Sequence, residues 1–384
     1  MMRLFDTAAG EVVPFAPGRV ATMYTCGITP YDSAHLGHAA VYLACDVLQR
    51  RLRDLGHSTR CVRNVTDVDD DILRKARELG VHYLDLAAEE MARFDADMKA
   101  LNLLPAYAEP RATSAIPEIL SLVDALVSSG HAYAGAGAVY FDVSSAPNFG
   151  HLSRLGREEM LALAAERGGN PEDPAKRDPL DFVLWQPAAP DEPSWESRFG
   201  PGRPGWHIEC SALAMRELGP TVDLHGGGSD LVFPHHECEA AQSEAVTGKP
   251  LARHWFHVGM VGLGGRKMSK SLGNLVFVGD LLEDWEPDAV RLAVLAQHYR
   301  SGWEFDPAAL DLASARLDRW RGAGKGDAGL EDVRRLLDDD LDTPGAIEAL
   351  DAASASGGVS AGAALLGVET AYSSEPGRRP TGRG

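Results

Sequence analysis

The chain has 384 residues, a length that predicts two or three structural units, and its 45% hydrophobic and 24% charged residues are typical of a globular protein. A net charge of −19 argues against a protein that binds nucleic acid over its whole surface, because such a surface must attract phosphates. The net charge does not exclude a local basic groove. Five widely spaced cysteines, no signal-peptide pattern and no apolar run of about 18 residues predict a cytoplasmic, reduced, soluble protein without a disulfide framework or membrane contact.

The first elements in chain order predict a βαβ unit. Residues 20–26 (VATMYTC) are apolar and rich in strand-forming residues, and they run into the loop GITPYD. Apolar residues recur at helical spacing over 39–56, where a glycine ends the pattern, and 58–65 (STRCVRNV) predict a second strand. A strand, a helix and a strand in this order are typical of a parallel sheet, so we expect an α/β fold.

The rest of the chain predicts an insertion and a helical C-terminal part. Helical patterns cover 72–100 and 111–130, and the Pro-rich region 131–200 follows them. Residues 221–233 and 254–262 predict the second half of the sheet, with a helix between them. We therefore expect a catalytic domain over 1–306 with an insertion near 110–200, a helical region over 307–352, and a low-complexity or disordered tail over 353–384.

Two histidines, His35 and His38, stand three residues apart at the start of the first predicted helix. The free N–H groups of a helix N-terminus attract anions such as a triphosphate. Histidines at helix starts are also common as caps or surface residues. The four-residue motif HLGH is therefore a weak signal when it is taken alone.

A second motif, KMSKS, contains Lys267 and Lys270 and is flanked by glycines on both sides. Only seven lysines occur in the chain, so two within five residues argue against an ordinary basic turn. Two ammonium groups on a mobile loop suit the transient charge of phosphates during nucleotidyl transfer. HLGH followed much later by KMSKS resembles the signature pair of class I aminoacyl-tRNA synthetases, which activate carboxylates with ATP.

The cysteines and a His–Glu pair allow a metal site. His235 and Glu239 are four residues apart and therefore share a helix face. Cys45 lies in a predicted helix and Cys61 in a predicted strand, so both are interpreted as core residues. Spacing alone does not select the ligands. A tetrahedral zinc site is chemically sensible with the ligands Cys26, Cys210, His235 and Glu239.

Five segments in order are similar to cysteinyl-tRNA synthetase catalytic domains, namely CGITPYDSAHLGHA, RNVTDVDD, FGPGRPGWHIECSA, HGGGSDLVFPHHECE and GRKMSKSLGN. The resemblance implies a Rossmann-like class I synthetase catalytic domain, with ATP and magnesium as reaction partners. It implies that zinc binds the thiolate of the substrate cysteine, which excludes serine without an editing site. The implied zinc ligands are Cys26, Cys210, His235 and Glu239.

The same resemblance implies which residues bind the substrates. The histidines of HLGH and the lysines of KMSKS would be catalytic. The residues that would contact cysteine or the nucleotide are Cys26, Gly27, Ile28, Thr29, Val41, Asn64, Val65, Thr66, Trp206, Gly228, Ser229, Asp230 and Val261.

Other features resemble the mycothiol-pathway cysteine ligases, which are derived from synthetases and join cysteine to the amine of glucosaminyl-inositol. These features are GITPYD, ERGGNP (166–171), KRDPLD (176–181) and a short, acidic region after KMSKS that argues against tRNA as a partner. The segment 166–171 is expected to help form the wall of an acceptor pocket. The implied reaction is cysteinyl-adenylate formation from cysteine and ATP, followed by amide formation with an amino sugar.

Three alternatives remain at this point. His225 and Glu239 match the synthetases better than the ligases, which favours a paralogue that passes cysteine to a different small amine. A truncated cysteinyl-tRNA synthetase is the second alternative. A catalytically silent binding or regulatory relative is the third, and the intact HLGH and KMSKS motifs argue against it.

Overall fold

A computed structural model of the chain describes residues 1–268 and 273–371. Lys270 and residues 372–384 of the expected tail lie outside the described residues. The strands are β1 (Arg3–Asp6), β2 (Glu11–Pro14), β3 (Val20–Ile28), β4 (Ser58–Val65), β5 (Ala132–Gly135), β6 (Ala138–Phe141), β7 (Phe182–Gln186), β8 (Arg203–Pro204), β9 (Leu224–Gly228), β10 (Trp255–Val258), β11 (Val261–Leu263), β12 (Arg266–Lys267) and β13 (Trp303–Glu304).

The α-helices are α1 (Leu36–Asp54), α2 (Asp70–Leu79), α3 (Tyr83–Ala100), α4 (Ile116–Ser128), α5 (Arg157–Glu166), α6 (Trp206–Leu218), α7 (Glu237–Thr247), α8 (Val278–Asp284), α9 (Pro287–Leu295), α10 (Ala308–Ala323), α11 (Leu330–Leu337), α12 (Thr343–Ala353) and α13 (Ser360–Leu365). The pattern expected over 72–100 is divided at Gly80, whose φ of 68° is left-handed and ends α2. None of the helices in the described ranges is long and apolar enough to span a membrane.

A four-stranded parallel sheet in the order β10-β9-β3-β4 forms the centre of the molecule. The chain forms β3 and then β4 on one side, and later adds β9 on the other side of β3. The direction of strand addition therefore reverses between β3 and β9. Ligands of open parallel sheets bind outside the carboxyl ends of the strands at such a reversal.

The region between α4 and α6 forms a separate antiparallel sheet in the order β5-β6-β7-β8. Its apolar side chains share a core with α4, α6 and α7, and Trp185 is fully buried in this core. The insertion sheet is thereby held against the helix α6 that leads toward the carboxyl edge of the central sheet.

The C-terminal helices continue the core of the central sheet. Buried residues of α10 to α13 belong to the same apolar cluster as those of α1 and β3. Residues 354–371 differ from the expected low-complexity or disordered tail, because α13 is helical and Ala363 and Leu366 are fully buried. Small side chains allow this helix to pack closely, although the same composition suggests disorder in a sequence.

A buried arginine fastens the residues after α13. Arg291 of α9 is fully buried, and its guanidinium donates to the carbonyl groups of Leu101 and Leu366. The same guanidinium pairs with Asp46 of α1. Gly367 has a φ of 71°, and a Cβ there would lie 2.2 Å from the Arg291 Nη2 atom. We call Arg291, Asp46 and residues 366–367 the C-terminal anchor.

Candidate active site

The predicted site residues gather at the carboxyl edge of the central sheet. Cys26 to Ile28 end β3, Asn64 and Val65 end β4, and Gly228 ends β9. The helix α1 begins directly after the loop that follows β3, and α6 and α7 approach from the insertion side. Ile28, Val65 and Val261 are buried, whereas Val41 on α1 is partly buried.

Four side chains from four elements form a buried donor cluster. The Cys26 Sγ atom lies 3.9 Å from the Cys210 Sγ atom and 3.5 Å from the Glu239 Oε1 atom. The Nε2 atom of His235 lies 3.0 Å from the same carboxylate oxygen. Side chains of these four residues are almost fully buried, at 6% exposure or less. The structure therefore brings together the four residues expected to hold zinc.

Two further histidines lie beside this cluster and were missed as candidate ligands by sequence reasoning. The Nε2 atom of His236 is 3.2 Å from the Cys26 Sγ atom, and the Nε2 atom of His225 is 3.5 Å from the Glu239 Oε2 atom. Either Cys210 with His235 or His225 with His236 can complete a four-donor set with Cys26 and Glu239. The doublet His235-His236 was the available signal, but spacing along the chain does not reveal contacts between elements.

The donor cluster fits a zinc ion by chemistry and by one orphaned atom. Thiolates, imidazoles and carboxylates are the ligands of zinc in proteins. The Glu239 Oε2 atom is buried and makes no hydrogen bond among the described residues, although the His225 Nε2 atom lies 3.5 Å away. A buried carboxylate oxygen without a partner carries a large desolvation penalty, which a cation relieves.

The charges of the cluster are strongly coupled. A hydrogen bond with Cys26 lowers the pKa of Cys210 to about 6. Burial and the same contact raise the pKa of Cys26 well above its usual value. Burial alone would lower the pKa of His235, but Glu239 and Cys210 raise it to about 10. Burial would raise the pKa of Glu239, but His225 and His235 hold it well below its usual value. The cluster thus combines negative ligand groups with a protonated imidazole, whose proton a metal ion would displace.

Gly27, Asn64 and Thr66 form a hydrogen-bonded group where β3 and β4 end, next to Cys26. The Asn64 Oδ1 atom accepts a hydrogen bond of 2.7 Å from the Gly27 amide, and its Nδ2 atom donates to the Thr66 hydroxyl. A Cβ on Gly27 would lie 1.5 Å from the carbonyl oxygen of Asn64, so a side chain there would require the backbone to move. The hydrogen bond and the close contact therefore hold the end of β3 against the end of β4.

Two more residues expected to contact the substrate, Thr29 and Trp206, have partners in this region. The Thr29 hydroxyl donates to Asp69, whose pKa burial raises to about 6. Trp206 opens α6, and its ring centroid lies 4.2 Å from that of His235. Thr29 is thus paired with a carboxyl group, and the indole ring of Trp206 lies close to the donor cluster.

The HLGH histidines occupy the start of α1. The His35 side chain caps the helix by accepting from the amide of His38, and the two imidazole rings stack at 3.8 Å. Residues after KMSKS pair with this loop, because the Leu36 amide donates to Val276 and the Val278 amide donates to Ala34. The two imidazoles thus lie at a helix N-terminus, a position that generally favours anions, at the edge of the sheet.

The glycine-rich end of β9 and the following turn border the same edge. Gly228 caps the turn Ser229–Leu231, and a Cβ on Gly228 would lie 2.5 Å from an oxygen of Asp230. Arg167 of the insertion donates to the carbonyl groups of Asp230 and Phe233. The predicted acceptor segment 166–171 is therefore tied to the turn expected to contact the nucleotide.

The KMSKS motif follows β11 at this edge. Lys267 belongs to the short strand β12, which pairs with β11, and the Met268 amide donates to Val261. The backbone of the motif thus starts next to Val261, one of the predicted substrate contacts. The second lysine of the motif, Lys270, lies outside the described residues.

Comparisons with known proteins agree with this arrangement. The profile of the class I (C) tRNA synthetase catalytic domain matches residues 12–315. A Mycobacterium tuberculosis methionyl-tRNA synthetase solved with methionyl-adenylate superposes with a TM-score of 0.65 at 17% identity, covering 91% of this chain and 88% of that one. At this identity the likeness supports the fold alone, and it confirms the predicted fold class.

Closer relatives define the family. A protein of Thermomonospora curvata named L-cysteine:1D-myo-inositol 2-amino-2-deoxy-alpha-D-glucopyranoside ligase is 52% identical over 358 residues, covering 91% of this chain and 86% of that protein. A protein of the same name from Streptosporangium roseum is 48% identical over 388 residues, covering 96% and 95%. The chain belongs to this ligase family, within the class I (C) tRNA synthetase catalytic domains.

Proposed function

We propose that this chain activates L-cysteine with ATP and passes it to the amine of glucosaminyl-inositol. The first step joins the cysteine carboxylate to the α-phosphate and releases pyrophosphate. In the second step the acceptor amine attacks the activated carbonyl, so that an amide forms and AMP leaves. The observation that carries the proposal is a buried thiol, imidazole and carboxylate cluster at the sheet edge of a chain about half identical to named ligases.

The first part of the proposal concerns recognition of cysteine. Zinc held by Cys26, Cys210, His235 and Glu239 would supply a soft Lewis acid that prefers a thiolate to the hydroxyl of serine. Trp206 covers this end of the pocket, since its ring lies close to His235. Gly27, braced by Asn64, forms the floor against which the substrate backbone is placed. Serine is thereby excluded at the binding step.

The second part concerns the nucleotide. His35 and His38 place two imidazole rings at the start of α1, the positive end of the helix dipole, where the phosphates of ATP would bind. Lys267 and Lys270 are assigned to the charge that develops on the phosphates, and magnesium would accompany ATP. Fixed donors aimed at developing charge stabilise the transition state without reorganising.

The third part concerns the acceptor. Arg167 and Lys176 tie the segment around 166–171 to the turn after β9 and to itself, through the carbonyls of Asp230 and Gly169. This segment would form one wall of a pocket for a small amine beside the adenylate. A tRNA acceptor would require a long cationic surface, which a net charge of −19 opposes. The attacking amine must be unprotonated, so the second step is expected to accelerate as pH approaches the acceptor's pKa.

The test separates the two steps. Pyrophosphate exchange into ATP is measured with cysteine and with serine, and products are then identified by mass spectrometry with glucosaminyl-inositol, with tRNA and with neither. We expect exchange with cysteine only, and a cysteine amide with glucosaminyl-inositol only. Salt-sensitive charging of tRNA would overturn the proposal in favour of a synthetase. Exchange without either product would assign the chain to a paralogue with another amine acceptor, and no exchange would make it a silent relative.

A further inference from the structure

A chain of short hydrogen bonds runs from the N-terminal segment to Cys26. The Thr7 Oγ1 atom lies 2.6 Å from the Nδ1 atom of His257, and the Nε2 atom of His257 lies 2.7 Å from the Nδ1 atom of His236. The Nε2 atom of His236 is 3.2 Å from the Cys26 Sγ atom. His236 is fully buried and His257 is 8% exposed, so water cannot readily replace these contacts. We call Thr7, His257 and His236 the histidine relay.

Once Cys26 is a thiolate, each hydrogen bond in the relay can have only one donor and one acceptor. A thiolate accepts hydrogen bonds but donates none, so the Nε2–H of His236 must donate to it. A neutral imidazole has one donor and one acceptor, so the Nδ1 atom of His236 then accepts from His257. By the same rule the Nδ1 atom of His257 accepts from the Thr7 hydroxyl. A thiolate at Cys26 thus fixes the tautomers of both imidazoles, and the Thr7 hydroxyl supplies the donor that the last imidazole nitrogen requires.

The N-terminal segment is itself anchored where the relay needs it. The Thr7 amide donates to the carbonyl of Trp255 at 3.0 Å, and Trp255 is in β10, two residues before His257. The Trp255 amide in turn donates to Asp6 at 2.9 Å. These contacts hold the hydroxyl in register with the His257 ring.

We propose that Thr7, His257 and His236 are positioning residues that orient the Cys26 thiolate for the metal and the substrate cysteine. The inference rests on the proposed function for the role of the metal, and it adds three residues to the four ligands. Groups that hydrogen-bond to metal ligands fix ligand geometry, and their loss commonly weakens metal affinity by about 10–100-fold. The relay explains why a residue before the first strand of the central sheet matters for the site.

The competing assignment makes His236 a ligand, together with Cys26, His225 and Glu239. The two roles exclude each other, because a nitrogen that carries the donated proton has no lone pair for a metal. If His236 were a ligand, removing the Thr7 hydroxyl would have a much smaller effect than removing the His236 ring.

The experiment compares Thr7→Val, Thr7→Ser and His257→Phe with the wild type and with the control His254→Phe. His254 is also buried, but it bonds to the Phe5 carbonyl and not to the relay. Zinc affinity is measured by chelator competition on the full chain without substrates. The sulfur-to-metal charge-transfer band of the cobalt(II)-loaded protein reports the environment of Cys26, and denaturant unfolding reports stability.

We expect Thr7→Val and His257→Phe to weaken zinc binding by about 10-fold or more and to shift the cobalt band. Thr7→Ser retains the hydroxyl and should match the wild type, and His254→Phe should lower stability without changing zinc affinity. Equal zinc affinity and an unchanged band in Thr7→Val and His257→Phe would overturn the relay. Loss of zinc binding in His236→Gln with wild-type binding in Thr7→Val would assign His236 as a ligand instead.

The readouts separate this inference from the proposed function. Zinc affinity does not depend on which amine accepts cysteine, so a failure of amide formation leaves the relay test intact. If the wild type exchanges pyrophosphate with cysteine and Thr7→Val binds zinc normally, only the relay is wrong. If the wild type binds no zinc, the metal part of both proposals is wrong.

Discussion

The donor cluster and the C-terminal anchor both consist of buried polar groups, but they differ in how many of their polar atoms make hydrogen bonds. In the anchor, the Arg291 guanidinium has a carboxylate and backbone carbonyls as partners. In the donor cluster the Glu239 Oε2 atom, and beside it the His225 Nδ1 atom, make no hydrogen bond within the described ranges. A saturated buried network stabilises a fold, whereas an unsaturated one keeps a binding capacity that a ligand can use. The hydrogen bonds of the two regions therefore indicate a structural role for the anchor and a binding role for the donor cluster.

The largest expected effect is on the anchor. Arg291→Met leaves Asp46 with Arg50 as its remaining ion-pair partner among the described residues and removes the donor to the buried Leu101 and Leu366 carbonyls. We therefore expect a loss of about 3–5 kcal/mol in the free energy of unfolding, measured with denaturant. Zinc affinity should not change. Arg74→Met is the matched control, because Arg74 is exposed and its ion pairs are solvated, and it should change stability by no more than about 1 kcal/mol. A lower zinc affinity in Arg291→Met would contradict the conclusion that the anchor has a structural role and no part in metal binding.

The second effect is on the donor cluster. Cys210→Ser replaces a thiolate with a poor zinc ligand, so zinc affinity is expected to fall by about 100-fold or more, together with the preference for cysteine over serine. The wild type should contain about one zinc per chain. Cys45→Ser is the control, since Cys45 is buried against Thr25 and lies outside the cluster. Full metal content and full selectivity in Cys210→Ser would contradict the assigned ligands.

The third effect should change rate alone. Lys270→Ala removes one donor to the phosphates, so pyrophosphate exchange is expected to fall by about 100-fold while cysteine affinity stays nearly constant. The control is Lys325→Ala, which removes an exposed lysine after α10. Equal losses in cysteine affinity and in rate would mean that the KMSKS lysine has only a structural role.

The smallest effect concerns the pH dependence of the anchor region. Burial raises the pKa of Asp288 to about 6, and Asp288 accepts from the Glu369 amide just beyond the anchor. A raised folded-state pKa makes ionisation destabilising, so this penalty is absent below about pH 4 and grows as pH rises through about 6. Asp288→Asn should therefore melt a few degrees above the wild type at pH 7, and this difference should shrink at pH 4. A difference that is independent of pH would refute the assignment.

Local patterns in the sequence predict the catalytic sheet well. The strand expected over 58–65 coincides with β4, and the strand expected over 20–26 is β3, which continues two residues further to Ile28. Apolar runs bounded by glycine and loop signals carry this information because a buried parallel strand has no exposed face. The candidate zinc ligands meet as the resemblance implies, although their spacing could not show it.

Contacts between distant elements could not be predicted. Thr7 and His257 are 250 positions apart, and no periodic pattern links a hydroxyl before the sheet to a strand near its end. Within the expected low-complexity or disordered tail, the described residues 354–371 contain the packed helix α13, which local patterns did not indicate for a related reason. Composition describes α13 as Gly-, Ala- and Ser-rich, whereas its burial depends on the shape of the surface that receives it. Tertiary packing therefore overrides local propensity there.

The antiparallel hairpin of β1 and β2 has a consequence for synthesis on the ribosome. The amide of Arg3 donates to Asp338, and the amide of Asp340 donates back to the Arg3 carbonyl. Phe5 also donates its amide to Asp340, so β1 gains these partners only after the C-terminal helical region has been translated. The central sheet can form earlier during elongation. The segment that carries Thr7 would then gain its contacts with Asp338 and Asp340 late in translation, so a nascent chain would complete the anchoring of the histidine relay only near the end of synthesis.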